Sequence, residues 1–308
     1  MCGPWAAVHS RRALVLRRHS FVSLWLGALV AVAALLGPGS AHALDKQGSA
    51  NRGEVGGADS GFGVAGSVLF GAAIYNPTYA ARPDNTGHAL LRLAGHLDVD
   101  LIGARLSIPI DVNFFSDRDR SGLGKILPSE FDIIAGLTST WPVARGALEF
   151  GVRAEGDFPV DQGTKTQSYI DARTRYSFAL GEYFASLRDG LAGGDITGAA
   201  TLGWFIINPT YAARPDNTGR ALFRYGFHAG ISYTPRFFFG FDATFFTDRY
   251  ENPVVPSELD ITFEIGSTLV DALAVHLAYE RDMPIDRGGF SQHFVLLFLT
   301  WDTTIIEH

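Results

Sequence analysis

The sequence predicts an all-β protein: a single 12-stranded antiparallel up-and-down transmembrane β-barrel built from two six-strand repeats. From residue 61 onward, apolar and polar residues alternate with a period of two, which is typical of strands with one apolar face. The segment Asn-Pro-Thr-Tyr-Ala-Ala-Arg-Pro-Asp-Asn-Thr-Gly occurs twice, at 76–87 and 208–219. Shorter matched motifs follow each copy at similar spacing, so we expect the halves to share one plan.

The N-terminus is predicted to be a cleaved signal peptide covering residues 1–43. Four arginines precede an apolar stretch at 21–36, and Ala41-His42-Ala43 offers a small-residue cleavage site. Residues 44–60 are rich in Gly, Ser and Asp without periodicity, so we expect a disordered leader. The barrel is expected over 61–308, with repeat one at about 61–180, a linker at about 181–195 and repeat two at about 196–308.

Charge and cysteine content narrow the function classes. After removal of residues 1–43, 21 basic residues remain against 32 acidic ones, a net charge of −11. This balance argues against a nucleic-acid partner and against binding to anionic headgroups through charge. The only cysteine, Cys2, leaves with the signal peptide, so the mature chain has no disulfide or thiol chemistry.

Six strands are predicted in the first half. Strand one covers about 63–76, and strand two shows the clearest alternation, with Leu93 and Leu97 opposite Arg92 and His96. The remaining four strands are centred on about 111–117, 130–141, 148–155 and 170–178. Each carries apolar residues on one face and charged residues on the other. A short helix is expected in the linker, at about 182–191.

The second half repeats this plan with six more strands. They are predicted at about 196–208, 223–232, 237–244, 258–265, 275–280 and 292–304. The last strand is apolar on both faces in its middle, unlike the others. The total is twelve strands.

Alternation alone fits both a soluble sandwich and a membrane barrel, which place their apolar faces on opposite sides. Three features favour the membrane. Charges of both signs lie in mid-strand on one face, long and short connections alternate, and Tyr or Trp residues lie near strand ends. After the signal peptide, no apolar stretch is long enough for a membrane helix. A membrane location therefore requires a closed barrel.

The charged face is predicted to line the lumen. Its candidate residues are Arg92, His96, Asp98, Asp111, Glu149, Arg153, Asp171, Arg173, Arg224, His228, Asp242 and Glu264. Arg92 and His96 share a face, and Arg224 and His228 repeat the same spacing of four. A buried polar network explains this spacing more readily than catalysis does. Ser129 and Ser257 in the Pro-Ser-Glu motifs are interpreted as turn residues, so no catalytic residues are assigned and no enzyme is predicted.

The mature chain resembles bacterial outer-membrane β-barrels of the porin-like class. The resemblance is architectural and rests on the strand pattern, the uneven connections and the aromatic residues near strand ends. It implies a Gram-negative outer membrane as the location, with lipid as a partner. Members of this class usually end on an aromatic residue, whereas this chain ends Ile305-Ile306-Glu307-His308.

The matched motifs are predicted to lie at the outer rim of the barrel. Their charged residues are Arg82, Asp84, Asp117, Arg118, Glu130, Asp132, Glu155, Asp157, Asp161, Arg214, Asp216, Asp248, Arg249, Glu258, Asp260, Glu280, Asp282 and Asp286. One interpretation is structural: turn chemistry and Asp–Arg pairs brace the loops. The other is functional: an acidic ring selects cations or binds a divalent cation. No cofactor is otherwise expected.

Two functions follow from this architecture. The leading prediction is a passive, narrow pore for small polar solutes or ions. The alternative is a non-conducting barrel that is structural or binds a ligand or cation. Barrels of eight strands are filled by side chains and those of sixteen hold a channel, so twelve strands leave both open.

Overall fold

A computed structural model describes residues 62–75, 89–103, 105–143, 145–159, 167–180, 190–191, 194–207, 221–234, 236–270, 272–285 and 292–307. The predicted signal peptide and leader, both twelve-residue segments and most of the linker, with its predicted helix, lie outside these residues. The strands are β1 (Gly63–Tyr75), β2 (Ala89–Asp100), β3 (Leu106–Asp117), β4 (Pro128–Val143), β5 (Gly146–Pro159), β6 (Gln167–Ala179), β7 (Ile196–Ile207), β8 (Ala221–Thr234), β9 (Phe237–Asp248), β10 (Asn252–Val270), β11 (Leu273–Pro284) and β12 (Gln292–Glu307).

The twelve strands form one closed antiparallel barrel, which confirms the predicted strand number and up-and-down topology. Each strand pairs with its neighbours in the chain, and β1 closes the barrel by pairing with β12 from Gly63↔Glu307 to Tyr75↔Val295. Closure removes the exposed edges that an open sheet would present. A 3-10 helix at Gly122–Ile126 lies in the β3–β4 connection. Among the described residues, no helix is both long and apolar enough to cross a membrane.

The outer face of the barrel is apolar. Large aliphatic and aromatic side chains in mid-strand are about half exposed, including Leu137, Val152, Leu202, Phe239 and Phe263. The period-two alternation thus directs these side chains outward and their neighbours inward. This is the inverse of a soluble barrel, which would bury such residues.

Aromatic side chains project from both ends of the outer face. Tyr75 and Trp204 lie near one end, and Trp141, Tyr233 and Trp301 lie near the other; all five are between 43% and 55% exposed. The first end carries the connections that follow β1, β3, β5, β7, β9 and β11, and we call it the motif end. The β9–β10 connection is the short one there, because β10 begins at Asn252.

Hydroxyl groups stabilise register shifts at the motif end, at matched positions in the two halves. Ser116 Oγ accepts a hydrogen bond from Leu91 N at 2.9 Å, and Thr247 Oγ1 accepts one from Phe223 N at 3.0 Å. Each lies where the pairing with the preceding strand shifts. The side chains thus satisfy backbone N–H groups that the ladder leaves unpaired.

The structure places Ser129 and Ser257 differently from the prediction. They were expected in turns, but they lie inside β4 and β10 and are almost fully buried. Ser129 Oγ donates to Phe115 O at 3.1 Å, and Ser257 Oγ donates to Phe246 O at 3.2 Å. In each half, the Pro-Ser pair therefore lies where regular pairing with the preceding strand begins. The serine hydroxyl replaces one hydrogen bond of that strand pair.

Candidate functional site

The lumen is the candidate functional site, and strand register defines its surface. Residues paired directly across neighbouring strands point to the same side of a sheet. His96 pairs with Asp111, Arg153 with Asp171 and His228 with Asp242. These charged residues alternate with the exposed apolar ones, so they face the interior.

Two His–Asp pairs lie at mid-height in the lumen. His96 Nδ1 is 2.5 Å from Asp111 Oδ1, and His228 Nδ1 is 2.8 Å from Asp242 Oδ1. Both aspartates are the sixth residue of a twelve-residue strand. The pair on β2 and β3 is six strands away from the pair on β8 and β9 in the closed order. They therefore stand on opposite walls.

Asp111 and Asp242 are well exposed for members of lumen ion pairs. Their side chains are 37% and 35% exposed, whereas Asp171 is fully buried at 0%. The space beside these two carboxylates is therefore large enough for water. A solute at mid-height would meet these two negative charges.

A second network lies in the wall formed by β5, β6 and β8, nearer the motif end. Asp171 accepts hydrogen bonds from Arg153 Nε and Arg224 Nη2, both at 3.0 Å. Arg153 Nη2 also lies 3.5 Å from Glu155 Oε2, which accepts a 2.5 Å hydrogen bond from Tyr169 OH. Each buried charge thus has an opposite partner, as burial requires.

Aromatic rings pack beside these arginines. Tyr169, Phe205, Phe246 and Ala221 form a buried cluster, although they face the lumen side. The guanidinium of Arg224 lies 5.9 Å from the centroid of Phe205, close enough for a cation–π contact. These rings narrow the lumen from the β6–β9 wall.

Arg92 occupies a similar place on β2. Its Nη2 donates to Asn113 Oδ1 at 2.7 Å, and its guanidinium lies 5.7 Å from the centroid of Phe115. The carboxylates of Asp111, Asp132 and Glu280 are near enough to act on its charge. Arg92 is therefore held in the wall by neutral and acidic partners together.

A third histidine is enclosed near the opposite end. His276 Nδ1 is 2.6 Å from Glu264 Oε1, and its Nε2 is 2.8 Å from Thr300 Oγ1. Its ring stacks on Phe298 at 4.5 Å between centroids, with Phe238 at 5.1 Å. Both ring nitrogens thus have partners in the wall, and Phe298 covers one ring face.

The remaining predicted lumen residues also make ionic contacts. Arg173 Nη2 lies 3.3 Å from Glu149 Oε1, and Asp98 Oδ2 lies 3.5 Å from His96 Nε2. His96 therefore lies between two carboxylates. At the corresponding place beside His228, the chain has Gly230.

The charged motif residues lie mostly on strands. In strands at the motif end are Asp117, Glu130, Asp132, Glu155, Asp157, Asp248, Glu258, Asp260, Glu280 and Asp282, with Arg118 and Arg249 immediately following β3 and β9. Asp117, Glu130, Asp248, Glu258 and Asp282 are buried. The prediction had placed them in rim loops.

The rest of the predicted rim lies outside the described residues: Arg82, Asp84, Asp161, Arg214, Asp216 and Asp286. Among the described residues, no group of three or more His, Cys, Asp or Glu side chains is arranged to hold a metal ion. A divalent cation at the rim stays a prediction.

Sequence reasoning missed several lumen residues. Tyr169, Phe205, Phe246 and Phe298 are buried inside although aromatic residues were assigned to the outer face. For Phe298 a signal existed, because the middle of β12 is apolar on both faces. Phe205 also breaks the alternation of apolar and polar residues in the sequence, because its neighbours Trp204 and Ile206 are apolar too. Those two side chains are exposed, whereas Phe205 is buried.

No protein-family model and no curated protein sequence matches this chain. Solved structures with a similar course of the chain include a KdgM porin, at 6% identity and a TM-score of 0.42, covering 77% of this chain and 98% of that one. An outer membrane channel from Pseudomonas putida F1 has 12% identity and a TM-score of 0.45, covering 81% and 100%. Outer membrane phospholipase A from Escherichia coli has 7% identity and a TM-score of 0.45, covering 78% and 96%.

Proposed function

We propose that this chain is an outer-membrane β-barrel of a Gram-negative bacterium that acts as a passive, narrow pore with a preference for small cations. The observation that carries the preference is the pair of exposed carboxylates at mid-lumen, Asp111 and Asp242. The proposal has two parts, a membrane location and conduction. Each has its own support.

The membrane location is supported by the outer surface. Exposed aliphatic and aromatic side chains cover mid-strand positions, and Tyr and Trp side chains lie near both strand ends. Water would penalise so much exposed apolar surface, whereas hydrocarbon accommodates it. The described strands have 12 to 19 residues, more than the 9 to 11 needed to cross the hydrocarbon core. The orientation that puts the motif end outside the cell is part of the proposal.

Cation preference is supported by the sign of the lumen charge. Register places acidic residues along the lumen face of β9–β12 and β1–β4, against Arg92: Asp98, Asp111, Asp132, Asp242, Glu258, Asp260 and Glu280. By contrast, Arg153 and Arg224 share Asp171 within the wall. Rings of carboxylates attract cations into pores and repel anions. The lumen wall formed by β9–β12 and β1–β4 is therefore negative.

For His276, a structural role in the barrel wall is simpler than a catalytic role. Glu264, His276 and Thr300 follow the order acid, imidazole, hydroxyl found in hydrolase triads. An acyl-transfer site also needs N–H donors for the oxyanion. Thr300 lies in the middle of β12, which pairs with β1 on one side and β11 on the other, so backbone N–H groups nearby serve the ladder.

A non-conducting barrel is the second candidate. The aromatic cluster of Tyr169, Phe205 and Phe246 favours it, because these rings fill part of the lumen. In that case the wall networks would be structural. A measurement of ion flow separates the two candidates.

The test is ion conduction by the refolded protein in planar lipid bilayers. Under a KCl gradient, we expect single-channel steps and a reversal potential of the sign given by K⁺ permeation. The Asp111→Asn/Asp242→Asn variant should lose most of that preference. Glu264→Gln is the control, because Glu264 is 12% exposed and held by His276. Absence of conductance at every salt concentration would reject the pore and favour the second candidate.

A further inference from the structure

We infer that His96 and His228 are selectivity-determining residues of the pore, which set the net charge of Asp111 and Asp242 and make cation preference depend on pH. The inference rests on the proposed pore function. Each imidazole contacts one of these two exposed carboxylates, whose side chains are 37% and 35% exposed. Imidazole is the side chain that ordinarily changes charge between about pH 5 and 8.

The surroundings of each imidazole hold few other charges. His96 on β2 faces Asp111 on β3, with Asp98 and Arg92 on its own strand and the neutral Ser67 opposite it on β1. His228 on β8 faces Asp242 on β9, with Arg224 on its own strand and Ala199 opposite it on β7. The aspartates are thus the charges on neighbouring strands that lie directly opposite these rings.

The charge of each pair follows from its protonation. With a neutral imidazole, Nδ1–H donates to the carboxylate, and the pair carries one negative charge. With a protonated imidazole, the Asp242 pair is neutral, whereas His96, Asp111 and Asp98 together keep one negative charge. Cation attraction at mid-lumen is therefore stronger with neutral imidazoles than with protonated ones.

The two pairs differ in a way that the experiment can use. His228 Nε2 is buried and has no hydrogen-bond partner among the described residues, and Gly230 lies where β2 has Asp98. Protonation of His228 thus neutralises its pair with Asp242, while protonation of His96 leaves the charge of Asp98. His228 should contribute the larger part of the pH dependence.

The experiment is the reversal potential in a KCl gradient, measured at half-unit steps from pH 5 to pH 8. For the wild type, we expect the K⁺/Cl⁻ permeability ratio to rise with pH by about fivefold, the effect of one unit charge about 4 Å away in water. His96→Gln/His228→Gln keeps a polar side chain without the titration and should hold the high ratio throughout. His228→Gln alone should remove more of the pH dependence than His96→Gln.

His276→Gln is the matched control, because its partner Glu264 is 12% exposed, whereas the side chain of Asp242 beside His228 is 35% exposed. It should keep the wild-type pH profile. Heat-modifiable mobility on gels reports whether each variant is folded. The wild-type measurements from pH 5 to pH 8 test the inference even if a variant fails to fold. Conduction with a constant permeability ratio from pH 5 to pH 8 would overturn this inference alone, whereas absence of conduction would overturn the pore as well.

Discussion

Arg224 donates a 3.0 Å hydrogen bond to Asp171 across an intervening strand, since Arg224 is on β8 and Asp171 on β6. Between them, β7 presents Gly203, which pairs with both Arg224 and Arg173. A Cβ on Gly203 would lie 3.4 Å from Arg224 Nε and 3.6 Å from Asp171 Oδ2. The lack of a longer side chain on β7 thus leaves the path open for this bridge.

Enlarging Gly203 tests that relationship. Gly203→Leu should place branched carbons in the path of the guanidinium and break the bridge, lowering the free energy of unfolding by about 3–5 kcal/mol as for a broken buried ion pair. Gly203→Ala is the control, because its Cβ would make only ordinary contacts. Urea unfolding in detergent micelles measures the difference. Equal stability of the two variants would show that the path over β7 does not matter.

Asp171 should act on stability more than on selectivity. Asp171→Asn leaves Arg153 and Arg224 without their shared carboxylate, and we expect a loss of about 3–5 kcal/mol. Because Asp171 is fully buried, the K⁺/Cl⁻ ratio of the folded fraction should change less than for Asp242→Asn. A variant of normal stability with altered selectivity would place Asp171 in the ion path instead.

Thr247 should contribute to the stability of the barrel through one hydrogen bond with the backbone. Thr247→Val keeps the shape of the side chain but leaves the partly buried Phe223 N unpaired, which should cost about 1 kcal/mol. Thr247→Ser retains the hydroxyl and should lose much less. Thermal unfolding of both variants, followed by circular dichroism, provides the comparison. If Val and Ser at this position have the same melting temperature, the hydroxyl is dispensable.

Two Val→Arg substitutions on the outer face test the membrane location. Val152 lies in mid-strand and Val270 ends β10, and both are at least half exposed. In a bilayer, arginine should cost about 2–4 kcal/mol at the midplane and about 0–1 kcal/mol near the interface. Refolding equilibria in lipid vesicles measure both values. Similar small costs at both positions would point to a water-exposed surface.

The strands and their faces could be predicted because period-two alternation is a local property. Strand one was expected at 63–76 and lies at Gly63–Tyr75, and strand seven was expected at 196–208 and lies at Ile196–Ile207. The mid-strand Leu and Phe residues then mark the outer face. Local pattern was therefore enough for the barrel and for the assignment of charges to one side.

The contacts within the lumen were beyond sequence reasoning because they depend on how strands are staggered. Arg224 and Asp171 are 53 residues apart and meet only because Gly203 separates them. The Pro-Ser-Glu motifs resembled turns, but a hydrogen bond to the neighbouring strand keeps Ser129 and Ser257 in the sheet. The exposure that distinguishes Asp111 and Asp242 from Asp171 also has no signature in the alternation.

Two spin labels on opposite faces of β9 test whether the apolar face of the barrel contacts lipid and the charged face contacts water. The described strands contain no cysteine, so labels can be attached at Phe239→Cys and Asp242→Cys without a background thiol in the barrel. In lipid vesicles, we predict that the label at 239 relaxes with oxygen dissolved in the bilayer and that the label at 242 relaxes with a water-soluble nickel complex. The reverse result, or two water-accessible labels, would contradict the inside-out barrel and with it the pore.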